Sequence, residues 1–359
     1  MPPFCYRKVL VDQAMHIRSL KIENLRVLER LDLLPGRGLN FVVGDNGAGK
    51  TSLLEAIYLA GRGRSFRHAD AGPMIRHGAD CVTVVVVIAD ESTGRQTILG
   101  VQREKKGLVC RLDGQDVKRR SGLAEALPVQ WIGSQPQLLL GLGPDVRRRF
   151  IDMGMFHVEH NYLEVFADYQ RNLRQRNAAI KQGHRETVRI WDAPLGTAGE
   201  ILNQKRSAFV SRLLDRALEI LSAWETGFSI SYRYRPGWKD QIGLSSQLAE
   251  KIDIDLKLGY TTSGPHRAEL DLISGSGLAE KRLSRGQQKI LVMALNLALL
   301  DLISARDGRV TVVLIDDHSA ELDRHNRQLM IEELQIRGGQ VFLSKIDDNA
   351  IGAITGAKT

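Results

Sequence analysis

Cysteine is scarce in this chain: Cys5, Cys81 and Cys110 are the three present, odd in number, scattered and without a CxxC pair. That excludes a disulfide framework and a zinc site of the paired-cysteine type, and the thiols are expected to be reduced and mostly packed. Long apolar runs are missing too. The longest, 82–88 and 310–315, fall far short of a bilayer span, and no basic-then-apolar leader opens the sequence. No membrane association and a cytoplasmic location are therefore expected. No internal repeat or low-complexity linker suggests a string of small modules, and neither a nuclease-type metal cluster nor a helicase motif set is evident.

What is present is 43% hydrophobic and 26% charged residues, the balance of a folded globular protein. At 359 residues the chain is too long for one ordinary core, and two or three lobes are expected. Fifty Lys and Arg against 42 Asp and Glu give a net charge of +8. Such an excess favours a polyanionic partner such as nucleic acid, the alternative being a solvated basic surface.

Periodicity divides the chain. Residues 1–14 carry no pattern, and Met15 is read as the natural start, with an ordered strand over 9–11 as the alternative. Alternating segments over 15–33, an apolar strand at 39–43, a glycine-rich loop, a helix and strands at 82–88, 97–103 and 107–112 follow, with a turn at Asp113-Gly114. After Gly143-Pro144 the pattern becomes long arginine-rich helices over 145–225, broken near 192–196, then an aromatic-rich strand. Strand and helix alternate again from Gly259. The expected architecture is α/β: a P-loop ATPase head built from 15–143 and 259–359, interrupted by a mainly helical insertion at 144–258.

Gly44-Asp45-Asn46-Gly47-Ala48-Gly49-Lys50-Thr51, followed by Ser52, satisfies G-x-x-x-x-G-K-[ST] between a predicted strand and a predicted helix. Its glycines let backbone N–H groups face phosphates, Lys50 reaches the β and γ phosphates of ATP, and the Thr51 hydroxyl binds Mg2+. Asp316 and Asp317 end the apolar strand 310–315, where ligands of parallel sheets bind. Asp316 is expected to hold Mg2+ or its water, and Asp317 to orient or deprotonate the attacking water; two carboxylates capping a strand are the alternative. Leu283-Ser284-Arg285-Gly286-Gln287-Gln288 opens an apolar helix, with Ser284 as N-cap and Gly286 permitting close backbone approach. That is one anion site more than a single ATP needs within one subunit, which makes sense if it meets ATP held by another copy.

Together LSRGQQK, GDNGAGKT and VLIDDHSAELD resemble the signature and Walker motifs of ABC-type ATPases of the SMC and Rad50 branch. KTSLLEAIYLAGRGRSFR, GPDVRRRFID, QRNLRQRNAAIK and TTSGPHRAEL, in this order, resemble the RecF family of bacterial recombination mediators, from about Met15 to Ser344. The resemblance implies an ATP-dependent homodimer in which Ser284, with Gly286 and Gln287, faces the partner's γ-phosphate. It also implies binding to gapped or junction DNA and to single strands in repair, replication, recombination and the SOS response. RecR and RecO are implied as partners, and a weak DNA-stimulated ATPase as the activity. Asp323 is implied at the dimer interface, and Gln135 or Gln137 near Mg2+ and the γ-phosphate. His266 and Arg267 match a family motif without a derivable role. Arg64 and Arg67 are candidates for DNA contact or for closing the site, with a solvated basic turn as the alternative. Arg147, Arg148, Arg149, Arg171, Arg174, Arg176, Lys181 and Arg185 concentrate on the insertion, where phosphate contact and a solvated or internally bonded helical face are both open.

Two departures stand out. Asp317 occupies a position usually held by Glu, which implies slow hydrolysis, and Ser344-Lys345 stands where many ABC proteins place a switch histidine. The readings that compete with a DNA-bound clamp are a transporter ATPase subunit, usually shorter and with no use for a basic helical insertion, and a nucleotide-binding scaffold without significant hydrolysis.

Overall fold

The computed structural model describes residues 5–8, 15–68, 70–133, 137–159, 161–239, 241–307, 311–316, 324–337 and 339–345. The chain forms two compact units: Met1–Gln135 together with Ile303–Thr359, and Pro136–Leu302.

The first unit holds two sheets. One has the strand order Cys5–Lys8, Leu39–Val43, Val341–Lys345, Val312–Ile315, Val129–Ile132. Its last four strands are parallel, and Leu39–Val43 and Val312–Ile315 are buried at every residue, as strands covered on both faces must be. Cys5–Lys8 pairs antiparallel with Leu39–Val43 and so forms the sheet edge. An N-terminal strand is thus present at 5–8; the strand considered at 9–11 lies outside the described residues. The second sheet is antiparallel, in the order Leu28–Leu33, Met15–Leu25, Cys81–Asp90, Arg95–Glu104, Leu108–Leu112, Gln115–Asp116. Cys81–Asp90 alternates between buried and half-buried side chains, the period of two expected of a sheet with one covered face. Its closing turn has Asp113 and Gly114 both at positive φ, as a two-residue hairpin loop of the primed type requires.

Between the sheets runs the helix Lys50–Arg62, buried at Ser52 and throughout 52–61. Leu53 and Ile57 share one core with Ile17, Val84 and Leu99 of the antiparallel sheet and with Val129, Leu314 and Phe342 of the parallel one. Gly61 makes this approach feasible: a Cβ there would lie 2.5 Å from Val129 Cγ2 and 2.6 Å from the Leu127 carbonyl oxygen. A side chain also stitches the two sheets. Gln340, fully buried, accepts from the Ile17 N–H at 2.8 Å and donates to the Ile17 and Gly36 carbonyls at 3.0 and 2.7 Å. It acts as one residue of a neighbouring strand just where a bulge between Ile17 and Ser19 shifts the register.

The second unit is mainly helical. Pro144–Val158, Tyr162–Gln182, Arg185–Ile190 and Asp192–Ala223 follow in sequence. The helix break falls at Gly183-His184 and at Trp191; the 192–196 stretch, expected to be a break, is the first turn of the longest helix, where Pro194 is tolerated. Arg176, fully buried, is the hub: it bonds Asp192 at 2.8 Å, Asp255 at 2.6 Å, Thr261 at 3.0 Å and the Leu248 carbonyl at 3.2 Å. Glu269–Ser274 joins this unit rather than the nucleotide sheet. It pairs antiparallel with Ser231–Arg235 and Gly277–Leu278, and its Asp271 lies opposite Arg233 and bonds both Arg233 and Arg235 at 3.0 Å. His266 is built in as well: its Nε2–H donates to the Thr261 carbonyl at 2.9 Å, leaving Nδ1 to accept from the Tyr169 hydroxyl at 2.6 Å.

Arg285–Arg306 is long and apolar enough to cross a bilayer by composition, but Leu291, Ala294, Leu297, Ala298 and Leu299 are fully buried inside the protein. It is a core helix, the apolar helix that the sequence placed after Ser284, with single polar residues interrupting its apolar runs.

Candidate nucleotide site

The parallel strands present their carboxyl ends together, and the candidate site grows from three of them. Leu39–Val43 runs into Gly44, and the loop turns on Gly47 at φ +82° and Gly49 at φ +95°. Gly49 is the N-cap of the Lys50–Arg62 helix, with no side-chain cap, so the first-turn N–H groups are left open to an anion. A Cβ at Gly49 would crowd Leu28 and Val27 at 3.0 and 3.1 Å. Lys50 is buried and its ammonium donates to the carbonyls of Gly44 and, at 2.8 Å, Asp45, curling over the loop. Asp45, Asn46 and Gly47 are exposed, Gly44 is half-buried and Ala48 is buried.

Thr51, the second residue of the helix, donates its hydroxyl to Asp316 Oδ1 at 3.1 Å across 265 residues of sequence. Asp316 follows Val312–Ile315 directly, and its N–H donates to the Ile132 carbonyl at 3.3 Å. The strand lying between those of Gly44 and Asp316, Val341–Lys345, adds Ser344, whose hydroxyl donates to the same Oδ1 at 2.6 Å. A carboxylate oxygen beside a hydroxyl is a hard oxygen donor set suited to Mg2+, and open N–H groups with an ammonium suit phosphate. The residues present therefore fit a magnesium-bound polyphosphate: Thr51 and Asp316 would hold the cation, and the cation would supply charge neutralisation. Ser344 as a partner of Asp316 went unread in the sequence, where it registered only as the neighbour of a missing histidine.

In the other unit, Ser284 caps the Arg285–Asp307 helix reciprocally. Its hydroxyl accepts the Gln287 N–H at 3.2 Å, and the Gln287 side chain accepts the Ser284 N–H at 3.0 Å, a capping box with Gln at its third helical position. Ser284 is exposed, and Gly286 and Gln287 are half-buried. Asp317, Asp323 and Gln135 lie outside the described residues, as does the side chain of Gln137.

The arginines expected on the insertion behave differently from one another. Arg147 makes a two-pronged ion pair with Glu269 at 2.8 and 3.0 Å and donates to the Leu140 carbonyl; Arg148 bonds the Ala268 carbonyl and Asp145. These two, like Arg176, have structural partners that use their donors, the internally bonded alternative that the sequence left open. Arg171 is exposed beside Asp168 at 3.5 Å, and Arg174 is exposed. Arg64 and Arg67 are exposed on the segment after the P-loop helix.

A P-loop strand, an aspartate ending the next strand but one, and a serine-capped LSRGQQ helix on the same chain define an ABC-type ATPase head, as the sequence led one to expect. Residues 16–354 match the RecF/RecN/SMC N-terminal domain family. The chain belongs to that family and, within it, to RecF. It is 36% identical over 339 residues to the DNA replication and repair protein RecF of Shewanella denitrificans, covering 94% of each chain. It is also 36% identical to that of Edwardsiella ictaluri over 347 residues, 96% of each. Among solved structures, a recombination mediator protein RecF with ATP, from the RecFOR pathway, superposes with a TM-score of 0.84 at 22% identity, over 93% of this chain and 94% of that one. The Smc head domain of Pyrococcus furiosus gives 0.56 at 16% identity, over 93% and 90%.

Proposed function

We propose that this chain is an ATP-dependent DNA-binding protein of replication and recombinational repair. ATP with Mg2+ is held by residues 44–52 and Asp316, and two copies close on it so that Ser284, Gly286 and Gln287 of one meet the γ-phosphate held by the other. In that state the dimer binds gapped or junction DNA, single strands included, in the cytoplasm, and assists recombinase loading with RecR and RecO, in repair linked to the SOS response. Hydrolysis is weak and DNA-stimulated, and it releases the clamp by removing the phosphate that bridges the copies. Asp317, a residue shorter than Glu, suits slow turnover.

The observation that carries this reading is the 3.1 Å bond between Thr51 and Asp316, which joins the P-loop to a strand-end carboxylate in one oxygen-donor site. The relatives' names as DNA replication and repair proteins supply the pathway. Light scattering of the unaltered chain, Lys50→Met and Ser284→Arg, each with Mg·ATP and gapped DNA, tests it. The unaltered chain is expected to double in mass and both variants to stay monomeric, with DNA affinity following the dimer. A mass that never changes, with DNA affinity indifferent to nucleotide, overturns the clamp.

A further inference from the structure

Both units pair arginines with carboxylates, and what matters for a polyanion is where exposed cations are left over. In Pro136–Leu302 many arginines already face carboxylates: Arg147 on Glu269, Arg206 on Asp152, Arg185 on Asp253, Arg216 on Asp301. A guanidinium so held gives up charge-assisted hydrogen bonds before it can take a phosphate.

The Met1–Gln135 side pairs Arg26, Arg30, Arg37, Arg76, Arg95 and Arg111 with carboxylates as well, but it also carries a cluster of exposed cations without such partners. Gly63 ends the P-loop helix so tightly packed that a Cβ there would lie 3.0 Å from Leu108 and 3.5 Å from Arg120. This brings the segment after the helix, the turn carrying Lys105 and Lys106, and the start of the Arg120–Ala126 helix onto one surface. Arg64, Arg67, Lys105, Lys106, Arg119 and Arg120 are all exposed there. Among the described residues none of these six side chains has a hydrogen-bond or ion-pair partner. Two of the nearby acids are engaged elsewhere: Glu104 accepts from Gln102 at 3.3 Å, and Asp116 from Arg111 at 3.2 Å.

The loop bearing Arg64 and Arg67 is held in a single conformation. Ser65 accepts the N–H groups of Arg67 and His68 at 2.9 and 3.1 Å and donates its hydroxyl to Glu55. Glu55, fully buried on the P-loop helix, takes two bonds from Arg26, whose backbone sits at φ +51°. Phe66 stacks on Trp131 with centroids 4.6 Å apart and meets Tyr58 edge-on at 5.4 Å. Ser65 and Phe66 therefore point inward while Arg64 and Arg67 face solvent. A buried carboxylate and a left-handed non-glycine residue are both costly, and their joint result is a fixed basic surface.

We propose that this patch is the surface on which the chain meets a phosphodiester backbone, with Ser65 and Glu55 as positioning residues for its loop. The inference rests on the DNA-binding reading and assigns the contact to the Met1–Gln135 unit rather than to the arginine-rich helices. Unpaired cations on a fixed surface match a partner of repeating charge, recognised without regard to sequence.

The test is gapped-DNA affinity in Mg·ATP across a salt series, for the unaltered chain, for Lys105→Ala/Lys106→Ala/Arg119→Ala, and for Arg171→Ala/Arg174→Ala. Each neutralised contact is expected to lower the slope of log affinity against log salt by about 0.9. The head variant should lose slope, with ATP affinity and melting temperature unmoved, and the helical-unit variant should keep the full slope. Ser65→Ala should weaken DNA binding about tenfold, the scale of one charge-assisted contact, and have no further effect once Arg64 and Arg67 are alanine. Ser65→Thr should restore binding. A full slope in the head variant, or the same Ser65→Ala effect with and without those arginines, overturns the patch while leaving DNA binding intact. Failure of the unaltered chain to bind DNA overturns both.

Discussion

Replacing Ser344 by alanine isolates one bond at the candidate nucleotide site. Asp316 Oδ1 accepts from Ser344 at 2.6 Å and from Thr51 at 3.1 Å, so the shorter bond is the one that fixes the carboxylate. Ser344 is 1% exposed, and water has little access to replace its hydroxyl. Loss of a bond that orients a metal ligand costs about 10- to 100-fold in metal affinity. The P-loop N–H groups and Lys50 are untouched, so metal-free nucleotide affinity should be unchanged. Calorimetric titration of nucleotide with and without Mg2+ reads the two separately. Ser344→Ala is expected to shrink the gain that Mg2+ gives by at least tenfold, and Ser344→Thr to keep it. A variant whose Mg2+ dependence is unaltered, or stronger, would refute the reasoning, because the hydroxyl would then be idle or a competitor for Oδ1.

Three further outcomes follow from packing and burial. Gly61→Ala adds a Cβ 2.6 Å from a backbone oxygen that has no rotamer to yield. Despite alanine's better helix propensity it should destabilise by about 1–3 kcal/mol in denaturant titration. Arg176→Met leaves Asp192 and Asp255 buried without their cation and should cost about 3–5 kcal/mol; adding Asp192→Asn and Asp255→Asn should recover part of the loss. Burial first of all pushes the His266 imidazole down to about 4 from the usual 6.5. The folded state keeps this ring neutral, so its contribution is complete above about pH 6.5 and is lost as pH falls toward about 4, about 3 kcal/mol in all. His266→Gln should flatten stability against pH in that window, and an unchanged profile would remove His266 from the explanation.

The P-loop, Asp316 and the Ser284 cap were legible because each depends on neighbours within a few residues: a glycine pattern, an apolar run ending in a carboxylate, and a serine three residues before a glutamine. The Asp113-Gly114 hairpin was legible for the same reason. What escaped depends on partners far along the chain. Arg147 looks like any exposed helical arginine until Glu269, 122 residues on, comes beside it, and Asp152 reaches Arg206 over 54. The strand Glu269–Ser274 reads as a return to the nucleotide sheet, yet it pairs with Ser231–Arg235, where its Asp271 meets Arg233 and Arg235. The edge strand Cys5–Lys8 has no alternation to announce it, since it is specified by the open edge of Leu39–Val43.

Gln340, immediately before the strand Val341–Lys345, and Ser344, within it, stand four residues apart, so an even number of steps separates them and both are set by a single register. The first grips the backbone of Ile17 and the second grips the carboxylate beside Thr51. Slipping that strand by one residue would release both grips at once. The seam between the sheets and the aim of Asp316 are therefore inherited together, and the turn entering the strand at Gln340 cannot change length by one residue without disarming a site at its far end.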